Sequence, residues 1–448
     1  QPLGAAAPAA ERLMDLLRVN DPGGAYPPSY YHATANPFAP CPPLEGDIKA
    51  HVCVIGAGFT GLSAALYLSG KGMDVVVLDA NRVGWGASGR NGGQLGSGQR
   101  LDQLELEEEL GAEHGRVLWD LAEGAKATVR DYIAEHQIDC GLRQGLIHGA
   151  ITAKATEWAK EEVAHLRTHL GYDQLEELDG EGIRAALGTT MYHSGVLDRG
   201  AGHLHPLNFA LGLASAAQAR GVTIHEMTRV LSVREEAPHV IRTEAGSVTA
   251  ERVIYACNGY HGGIEPRAAA RIMPINNFIV TTEPLGRARA KSLIRDNVAV
   301  NDSKFVVNYF RLTEDDRMLF GGGETYGYKF PSDIAAKVRP NMLKVYPQLA
   351  DAKIEHAWGG TLGITMSRLP YFRAHGATRL YAGGFSGHGV AMATQAGKLM
   401  AQYVVGAPEG FEAFAKLSHA RFPGGDRARH PLLVLAMTWY ALRDRLGV

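Results

Sequence analysis

The order of apolar and polar residues predicts alternating strands and helices near the start of the chain. An apolar run at residues 52–55 leads through a glycine-rich turn into a helical pattern at residues 62–68. A second apolar run, at residues 75–78, ends at Asp79. Alternation of strands with helices is typical of a parallel β-sheet. We therefore expect an α/β fold whose first βαβ unit begins near Asp47.

The pattern changes along the rest of the chain. Helical periodicity covers residues 101–135, and a helix followed by a strand covers residues 204–226. The following segments predict short strands of an antiparallel sheet: 277–282, 304–310 and 318–322. A last strand at residues 380–383 leads into a helix that ends near Tyr403.

This order predicts two discontinuous domains behind an N-terminal arm. The arm covers residues 1–46, with a short amphipathic helix at residues 5–18. The cofactor domain is expected to contain residues 47–145, 201–265 and 355–448. The substrate domain, rich in β-strands, is expected to contain residues 146–200 and 266–354. An apolar stretch at residues 432–442 predicts a docked C-terminal helix, with attachment to a membrane surface as the alternative.

Glycines in the first turn indicate a dinucleotide-binding site. Gly56, Gly58 and Gly61 follow the first strand with the GxGxxG spacing. The first glycine permits the tight turn, the second lets backbone approach phosphate, and the third lets helix and strand pack closely. Asp79 ends the second strand, eighteen residues beyond Gly61. A carboxylate there can accept hydrogen bonds from a ribose, which a tight turn in an ordinary βαβ unit would not require.

Two further glycine-rich segments favour FAD over NAD. Residues 82–94 contain five glycines among thirteen residues, with Ser88 and Arg90 as donors to phosphate; a flexible loop is the alternative. Gly387 and Gly389 precede a predicted helix. The positive end of that helix would stabilise negative charge on a reduced isoalloxazine. A nicotinamide that accepts hydride needs no such partner.

Composition argues against several classes of function. The 448 residues include 45 Lys and Arg against 47 Asp and Glu, without a basic block, so nucleic acid is not an expected partner. No apolar run is long enough to predict a transmembrane helix. The four cysteines lack CxxC and metal-binding spacing, which is typical of a reduced compartment, so we expect a cytoplasmic protein. His203 and His205 lack a third ligand at coordinating spacing, so a helix-start role is favoured over a metal site.

From about Asp47 onward, the chain resembles the D-amino-acid oxidase superfamily of flavoproteins. The resemblance rests on five motifs: the GxGxxG turn, Asp79, residues 86–93, residues 256–259 and residues 383–389. Residues 85–94 and 423–425 are most similar to the gamma-glutamylputrescine oxidase branch. The resemblance implies a Rossmann-like FAD-binding domain of the glutathione-reductase type and an antiparallel, β-rich substrate domain.

The resemblance also implies which residues hold FAD. Adenosine would lie at Asp79, with pyrophosphate at Gly58 and Ser88. The full implied set is Gly56, Gly58, Phe59, Thr60, Gly61, Asp79, Ala80, Gly86, Ala87, Ser88, Arg90, Asn91, Gly92, Gly93, Gln94, Val230, Cys257, Gly384, Gly387, His388, Gly389, Val390 and Ala391. The superfamily's covalent attachment residues have no counterpart here, so we expect FAD to be bound non-covalently.

Two departures from the superfamily bear on the substrate. Sarcosine-oxidase-type members carry a lysine where this chain has Ala391, which argues against a simple N-methyl amino acid. Another lysine, linked to oxygen reactivity, has no counterpart near residues 318–320. The pocket is expected to draw on Tyr309, Arg311, Glu324, Tyr326, His356 and Trp358. The catalytic candidates are His388, Tyr309 and Trp358, and the substrate-binding candidates are Tyr309, Arg311, Tyr326 and Trp358.

The resemblance implies a FAD-dependent amine oxidase. The expected reaction transfers hydride from the carbon beside a neutral amine to flavin N5, and the imine is then hydrolysed to an aldehyde. The expected substrates are gamma-glutamylputrescine, or a similar gamma-glutamylated polyamine, and oxygen, which yields peroxide. The expected assembly is a monomer or homodimer. The alternatives are an amino-acid dehydrogenase or oxidase that uses a quinone or another acceptor, and a flavoprotein that binds FAD structurally within a complex.

Overall fold

The computed structural model describes residues 15–21, 23–261, 263–304 and 306–423. Its strands are β1 (Gly46–Ile55), β2 (Val75–Leu78), β3 (Gln94–Leu95), β4 (Arg143–Ala150), β5 (Leu175–Leu178), β6 (Ser194–His203), β7 (Thr223–His225), β8 (Ser232–Val233), β9 (His239–Arg242), β10 (Gly246–Tyr255), β11 (Met273–Thr282), β12 (Ala299–Asp302), β13 (Tyr309–Leu312), β14 (Met318–Thr325), β15 (Ile354–Ile364), β16 (Tyr371–His375) and β17 (Arg379–Gly383). Its helices are α1 (Tyr30–Ala33), α2 (Phe59–Ser69), α3 (Gln103–Leu110), α4 (Ala112–Glu135), α5 (Ala153–Leu170), α6 (Gly180–Leu187), α7 (Pro206–Ala219), α8 (Pro266–Ala269), α9 (Arg287–Leu293), α10 (Ile334–Val345), α11 (Gly389–Val404) and α12 (Glu409–Ala415).

The first sheet contains the predicted βαβ unit. Among the described residues it has eight strands, in the order β16-β17-β10-β1-β2-β7, with β9 beside β10 and β8 beside β9. β1 is parallel to both β10 and β2, and β10 is parallel to β17. Because β1 and β2 are buried at their carboxyl ends, they consist of apolar runs there. The predicted α/β fold is confirmed.

The second sheet is mainly antiparallel, as predicted. In the described part of the chain it has nine strands, in the order β15-β11-β14-β13-β12-β4-β6-β3, with β5 beside β6. The strand predicted at residues 304–310 is correct only at its end, because a loop follows β12 and β13 begins at Tyr309. Asp302 closes this loop by accepting hydrogen bonds from Lys304 N at 3.3 Å and Asn308 N at 2.9 Å.

The predicted domain boundaries differ from the sheet boundaries, most clearly at β3 and β15. β3 belongs to the second sheet, although it lies within the segment 47–145. β15 pairs with β11 along ten residue positions, so the chain returns to the first sheet at β16 rather than at residue 355. Through β3, the second sheet therefore extends to the end of the glycine-rich segment at residues 82–94.

The N-terminal arm extends across both sheets. Tyr26 Oη donates to Val83 O at 2.7 Å, and Tyr30 Oη donates to Asp315 Oδ1 at 2.9 Å. Most of the helix predicted at residues 5–18 lies outside the described residues, as does the helix predicted at 432–442. None of the helices in the described ranges has the length and apolar character needed to cross a membrane.

Candidate functional site

The turn between β1 and α2 has the geometry that its glycines predict. Gly56 has φ +111°, and a Cβ there would lie 2.7 Å from Ala256 O on the neighbouring strand. A Cβ at Gly58 would lie 2.8 Å from Ser88 Oγ. A Cβ at Gly61 would collide with Gly56 O, so helix and strand could not remain in contact. Backbone contacts restrict Gly56 and Gly61 to glycine, a side chain at Gly58 would displace Ser88, and the turn leaves the start of α2 open to a phosphate.

Asp79 stands beside this turn at the end of β2. Its Oδ2 accepts a hydrogen bond from Ala57 N at 2.7 Å, and its Oδ1 accepts one from Asn81 N at 2.8 Å. Burial raises the pKa of the Asp79 carboxyl to about 6, although both backbone hydrogen bonds act to lower it. The carboxylate therefore joins the glycine turn to the segment that follows β2.

A single cavity of about 860 Å³ brings most of the predicted cofactor residues together. Such a volume suits a large organic ligand. The predicted residues that line it are Gly56, Gly58, Phe59, Thr60, Asp79, Ala80, Gly86, Ala87, Ser88, Arg90, Asn91, Gly92, Gln94, Val230, Cys257, Gly387, His388, Gly389 and Val390. The cavity then continues from this cradle between the second sheet and α5.

Four predicted cofactor residues do not line the cavity: Gly61, Gly93, Gly384 and Ala391. Each has a role in packing or backbone conformation instead. Gly93 and Gly384 have φ of +75° and +74°, which other residues rarely adopt. Ala391 is buried within the first turn of α11. Its methyl group therefore packs in the protein interior rather than against the cavity.

Two orphaned polar atoms fit the predicted FAD. Arg90 Nη2 and His388 Nε2 are buried and have no hydrogen-bond partner among the described residues, although both side chains belong to cavity-lining residues. Buried polar atoms without partners are rare in folded proteins and cost free energy. Ser88 Oγ accepts from Phe59 N at 3.0 Å, so its own hydroxyl proton can be donated to another group. These donors suit the phosphates and the polar edge of a flavin.

His388 lies where α11 begins. Gly387 has φ +89°, and His388 precedes the helix without a hydrogen bond from its side chain to the first turn. Burial lowers the pKa of His388 to about 4, so its imidazole is neutral at pH 7. The backbone of this 16-residue helix therefore adds partial positive charge at this end of the cavity.

Tyr309 lines the cavity where the second sheet meets the cofactor loop. A Cβ at Gly92 would lie 2.7 Å from its ring, so the ring rests directly on this loop. Its Oη donates to Asn277 Oδ1 at 2.5 Å. Burial raises the pKa of the Tyr309 phenol, so it remains a neutral donor at pH 7.

The other substrate-binding candidates, Arg311, Tyr326 and Trp358, do not line the cavity, and neither does His356. Arg311 donates to Gly92 O at 2.9 Å and to Leu204 O at 3.1 Å, so its guanidinium holds the cofactor loop. Trp358 Nε1 donates to Arg90 O at 3.0 Å. Both side chains are buried and donate to backbone carbonyls. The sequence alone could not reveal these contacts.

Several polar residues that line the cavity beyond the cofactor cradle were not identified from the sequence. They include Arg100, Asn277, Asp302 and Lys304. Arg100 has no hydrogen bond or ion pair with any described side chain, so its guanidinium is available to a ligand. No motif marks these positions, because strands and loops distant in sequence bring them together.

The comparisons with known proteins agree with this geometry. The sequence profile of the family described as "DAO: FAD dependent oxidoreductase" matches residues 51–403. The chain is 42% identical over 421 residues to gamma-glutamylputrescine oxidoreductase of Escherichia coli (strain K12), covering 94% of this chain and 99% of the relative. It is also 42% identical over 420 residues to the probable oxidoreductase OrdL of Rhizobium meliloti (strain 1021), covering 93% and 97%.

Solved structures show the same fold. Glycine oxidase from Geobacillus kaustophilus superposes with a TM-score of 0.67 at 20% identity, covering 80% of this chain and 95% of that one. L-proline dehydrogenase from P. horikoshii superposes with a TM-score of 0.64 at 21% identity, covering 81% and 94%.

Proposed function

The chain belongs to the DAO family of FAD-dependent oxidoreductases, and from this premise we propose that it oxidises the primary amine of gamma-glutamylputrescine or a similar gamma-glutamylated amine. The products are an aldehyde, formed when the imine is hydrolysed, and ammonia. Oxygen is the proposed electron acceptor, with peroxide as its product.

One observation supports a reaction between a substrate and a bound cofactor. The cavity that begins at Asp79 and the glycine turn continues without interruption to the polar wall of Tyr309, Asn277 and Glu324. A substrate bound at this wall would therefore meet a cofactor held in the cradle. When bound, FAD supplies the two-electron oxidation of the C–N bond by accepting hydride.

The residues of this chain orient the reactants and stabilise charge. The first turn of α11 directs its backbone N–H groups toward the cavity, where they would stabilise negative charge on a reduced cofactor. Neutral His388 can share a hydrogen bond without adding a full charge. Tyr309, resting on Gly92, would keep the substrate wall at a fixed distance from the cofactor loop.

Three observations support a substrate whose carboxylate lies far from the reacting amine. The relative at 42% identity is named for gamma-glutamylputrescine. Ala391 is buried away from the cavity, so it offers no ion partner for a carboxylate beside the reacting carbon. Arg100 lines the cavity and is available for a remote carboxylate, whereas the substrate-binding candidate Arg311 does not line it.

A substrate panel tests this proposal. Purified protein is assayed for peroxide, and for anaerobic bleaching of flavin absorbance, with gamma-glutamylputrescine, putrescine, sarcosine, glycine, D-alanine and L-proline. We expect gamma-glutamylputrescine to give the highest kcat/KM. A tenfold preference for an amino acid would contradict the substrate proposal. Bleaching without peroxide would show that the acceptor is a quinone or another carrier rather than oxygen.

A further inference from the structure

Glu324 stands out among the acidic side chains that line the cavity. It lies near the end of β14, where its backbone is paired with that of Asn277 on β11. Among the described residues, its carboxylate accepts one hydrogen bond, from Tyr326 Oη at 3.4 Å, which is long for a bond between a hydroxyl and a carboxylate. It has no ion-pair partner within the described ranges.

The other cavity-lining acids are Asp79, Asp102, Glu162, Asp198 and Asp302. Each accepts at least one hydrogen bond of 3.1 Å or less from a backbone or side-chain donor. Glu162, for example, accepts from Gln103 N at 2.7 Å, and Asp198 accepts from Tyr172 Oη at 2.6 Å. Their donors fix these carboxylates in place, whereas Glu324 retains its capacity to accept hydrogen bonds.

The groups around Glu324 do not compensate for its burial. Arg368 and Arg100 line the same cavity and act on its charge, Tyr326 donates to it from two residues further along the chain, and Tyr309 lies on the neighbouring strand β13. Both arginines act to lower the pKa of the Glu324 carboxyl, but desolvation is the larger effect and raises it. A half-buried carboxylate without a contacting cation is unfavourable unless a ligand supplies one.

We propose that Glu324 binds the ammonium group of the substrate and takes up its proton, so that the amine is neutral when its neighbouring C–H bond is oxidised. This inference rests on the proposed function, because it requires an amine substrate. The N–H bond breaks, an O–H bond forms on Glu324, and the electron pair left on nitrogen assists departure of the hydride. An ammonium has no such pair, and an alkyl amine with a pKa near 10.4 is mainly protonated at pH 7.

The location supports this role. Glu324 shares the cavity wall with Asn277 and Tyr309, whose ring contacts Gly92 in the cofactor loop. An ammonium held by Glu324 could therefore also meet the amide of Asn277, while its adjacent carbon faces the cofactor cradle. Glu324 acts on the substrate directly, so it is a catalytic residue in this proposal.

Binding of an unreactive amine tests the assignment without relying on turnover. The probe is the gamma-glutamyl amide of 4-methylpentane-1,4-diamine, formed at the primary amine, in which the carbon beside the free amine carries no hydrogen. The FAD-loaded protein is titrated by calorimetry at pH 7.5 in two buffers of different ionisation enthalpy, which gives both Kd and the number of protons released. The wild type should bind the ammonium form and release no proton.

Glu324→Gln should weaken binding about ten- to a hundredfold, the effect of losing a charge-assisted hydrogen bond. Any binding that remains should release one proton, because the neutral amine must form at the expense of solvent. The matched control is Glu105→Gln, which makes the same change on the exposed side of α3 and should bind like wild type. A second control uses the gamma-glutamyl amide of 4-aminobutanol as ligand, whose affinity should be the same in all variants.

Retained affinity in Glu324→Gln, with no proton released, would overturn the assignment. If that variant does not retain FAD or unfolds early, Glu324→Asp provides the test, because it keeps the charge and should keep ammonium binding without proton release. Failure of every amine in the substrate panel would refute the proposed function itself. Oxidation of an amine at the wild-type rate by Glu324→Gln would refute only the role of Glu324.

Discussion

Asp21 Oδ2 lies 2.6 Å from Arg90 Nη1 and joins the N-terminal arm to the loop that lines the cofactor cradle. The two side chains are only 9% and 1% exposed, so this is a buried ion pair. The same guanidinium donates from Nε to Trp85 O at 2.6 Å and stacks over the Trp85 ring, while Nη2 is left without a partner. The arm therefore sets the direction in which Arg90 presents its remaining donor.

Asp21→Asn should destabilise the protein and weaken FAD binding together. Removing one partner of a buried pair leaves a buried charge and costs about 3–5 kcal/mol. The measurements are the urea midpoint of the cofactor-free protein and the FAD dissociation constant. Asp120→Asn is the matched control, since Asp120 pairs with Arg116 on the exposed side of α4 and should change stability by less than about 1 kcal/mol. Equal effects of the two substitutions would show that the arm does not support Arg90.

Asp79→Asn should lower the affinity for FAD by about ten- to a hundredfold, because a charge-assisted contact with ribose is lost. The side-chain amide of asparagine also has one accepting oxygen, whereas the two oxygens of Asp79 accept from Ala57 N and from Asn81 N. Quenching of flavin fluorescence gives the dissociation constant. Asp74→Asn, an exposed change just before β2, is the control. An unchanged constant in Asp79→Asn would remove Asp79 from the set of ribose ligands.

The nucleotide-binding half could be predicted from sequence because its determinants are local. The spacing of Gly56, Gly58 and Gly61, and the position of Asp79 after an apolar run, identify strand, turn and helix within thirty residues. His205 illustrates the same point, since its Nδ1 accepts from Asn208 N at the start of α7, as the helix-start hypothesis required.

The substrate half could not be predicted in the same way. Arg311 is an attractive ligand for a carboxylate when judged by charge alone, but backbone carbonyls of Gly92 and Leu204 take up its donors. Arg100 precedes α3 and carries no motif, yet tertiary packing places it in the cavity wall. Which charged side chain meets a ligand depends on contacts between strands distant in sequence, and periodicity does not encode those contacts.

His203 should make stability depend on pH below neutrality. Burial, with Arg311 nearby, lowers its pKa to about 3 in the folded protein, whereas an exposed histidine titrates near 6.5. Between those values the unfolded chain binds a proton that the folded protein does not, so stability falls as pH falls, by about 1.4 kcal/mol per pH unit. Above pH 6.5 this group has no effect. Urea midpoints from pH 7.5 to 4.5 should therefore fall more steeply for wild type than for His203→Gln, and parallel curves would contradict the buried neutral state.

FAD should be released without cleavage of a covalent bond. Cys257 lines the cavity, but its Sγ lies 3.4 Å from Ile55 O, and burial raises the pKa of its thiol to about 12. A thiol that does not ionise is a poor nucleophile. Acid precipitation should leave the yellow colour in the supernatant, and colour retained in the pellet would show covalent attachment.

Arg100→Gln should impair oxidation of a substrate that carries a carboxylate more than oxidation of one that lacks it. The Arg100 guanidinium lines the cavity and has no ion-pair partner among the described residues, so it can anchor the carboxylate of a gamma-glutamyl group. Loss of this contact should raise KM for gamma-glutamylputrescine about ten- to a hundredfold, with a smaller change in kcat. N-acetylputrescine is the matched substrate, because it presents the same amine, chain and amide without a carboxylate. Its kcat/KM should fall by less than about threefold, an allowance for the influence of Arg100 on Glu324.

Arg116→Gln, on the exposed face of α4, controls for the loss of one positive charge. Equal losses for the two substrates in Arg100→Gln would place the carboxylate elsewhere and show that Arg100 acts near the amine instead.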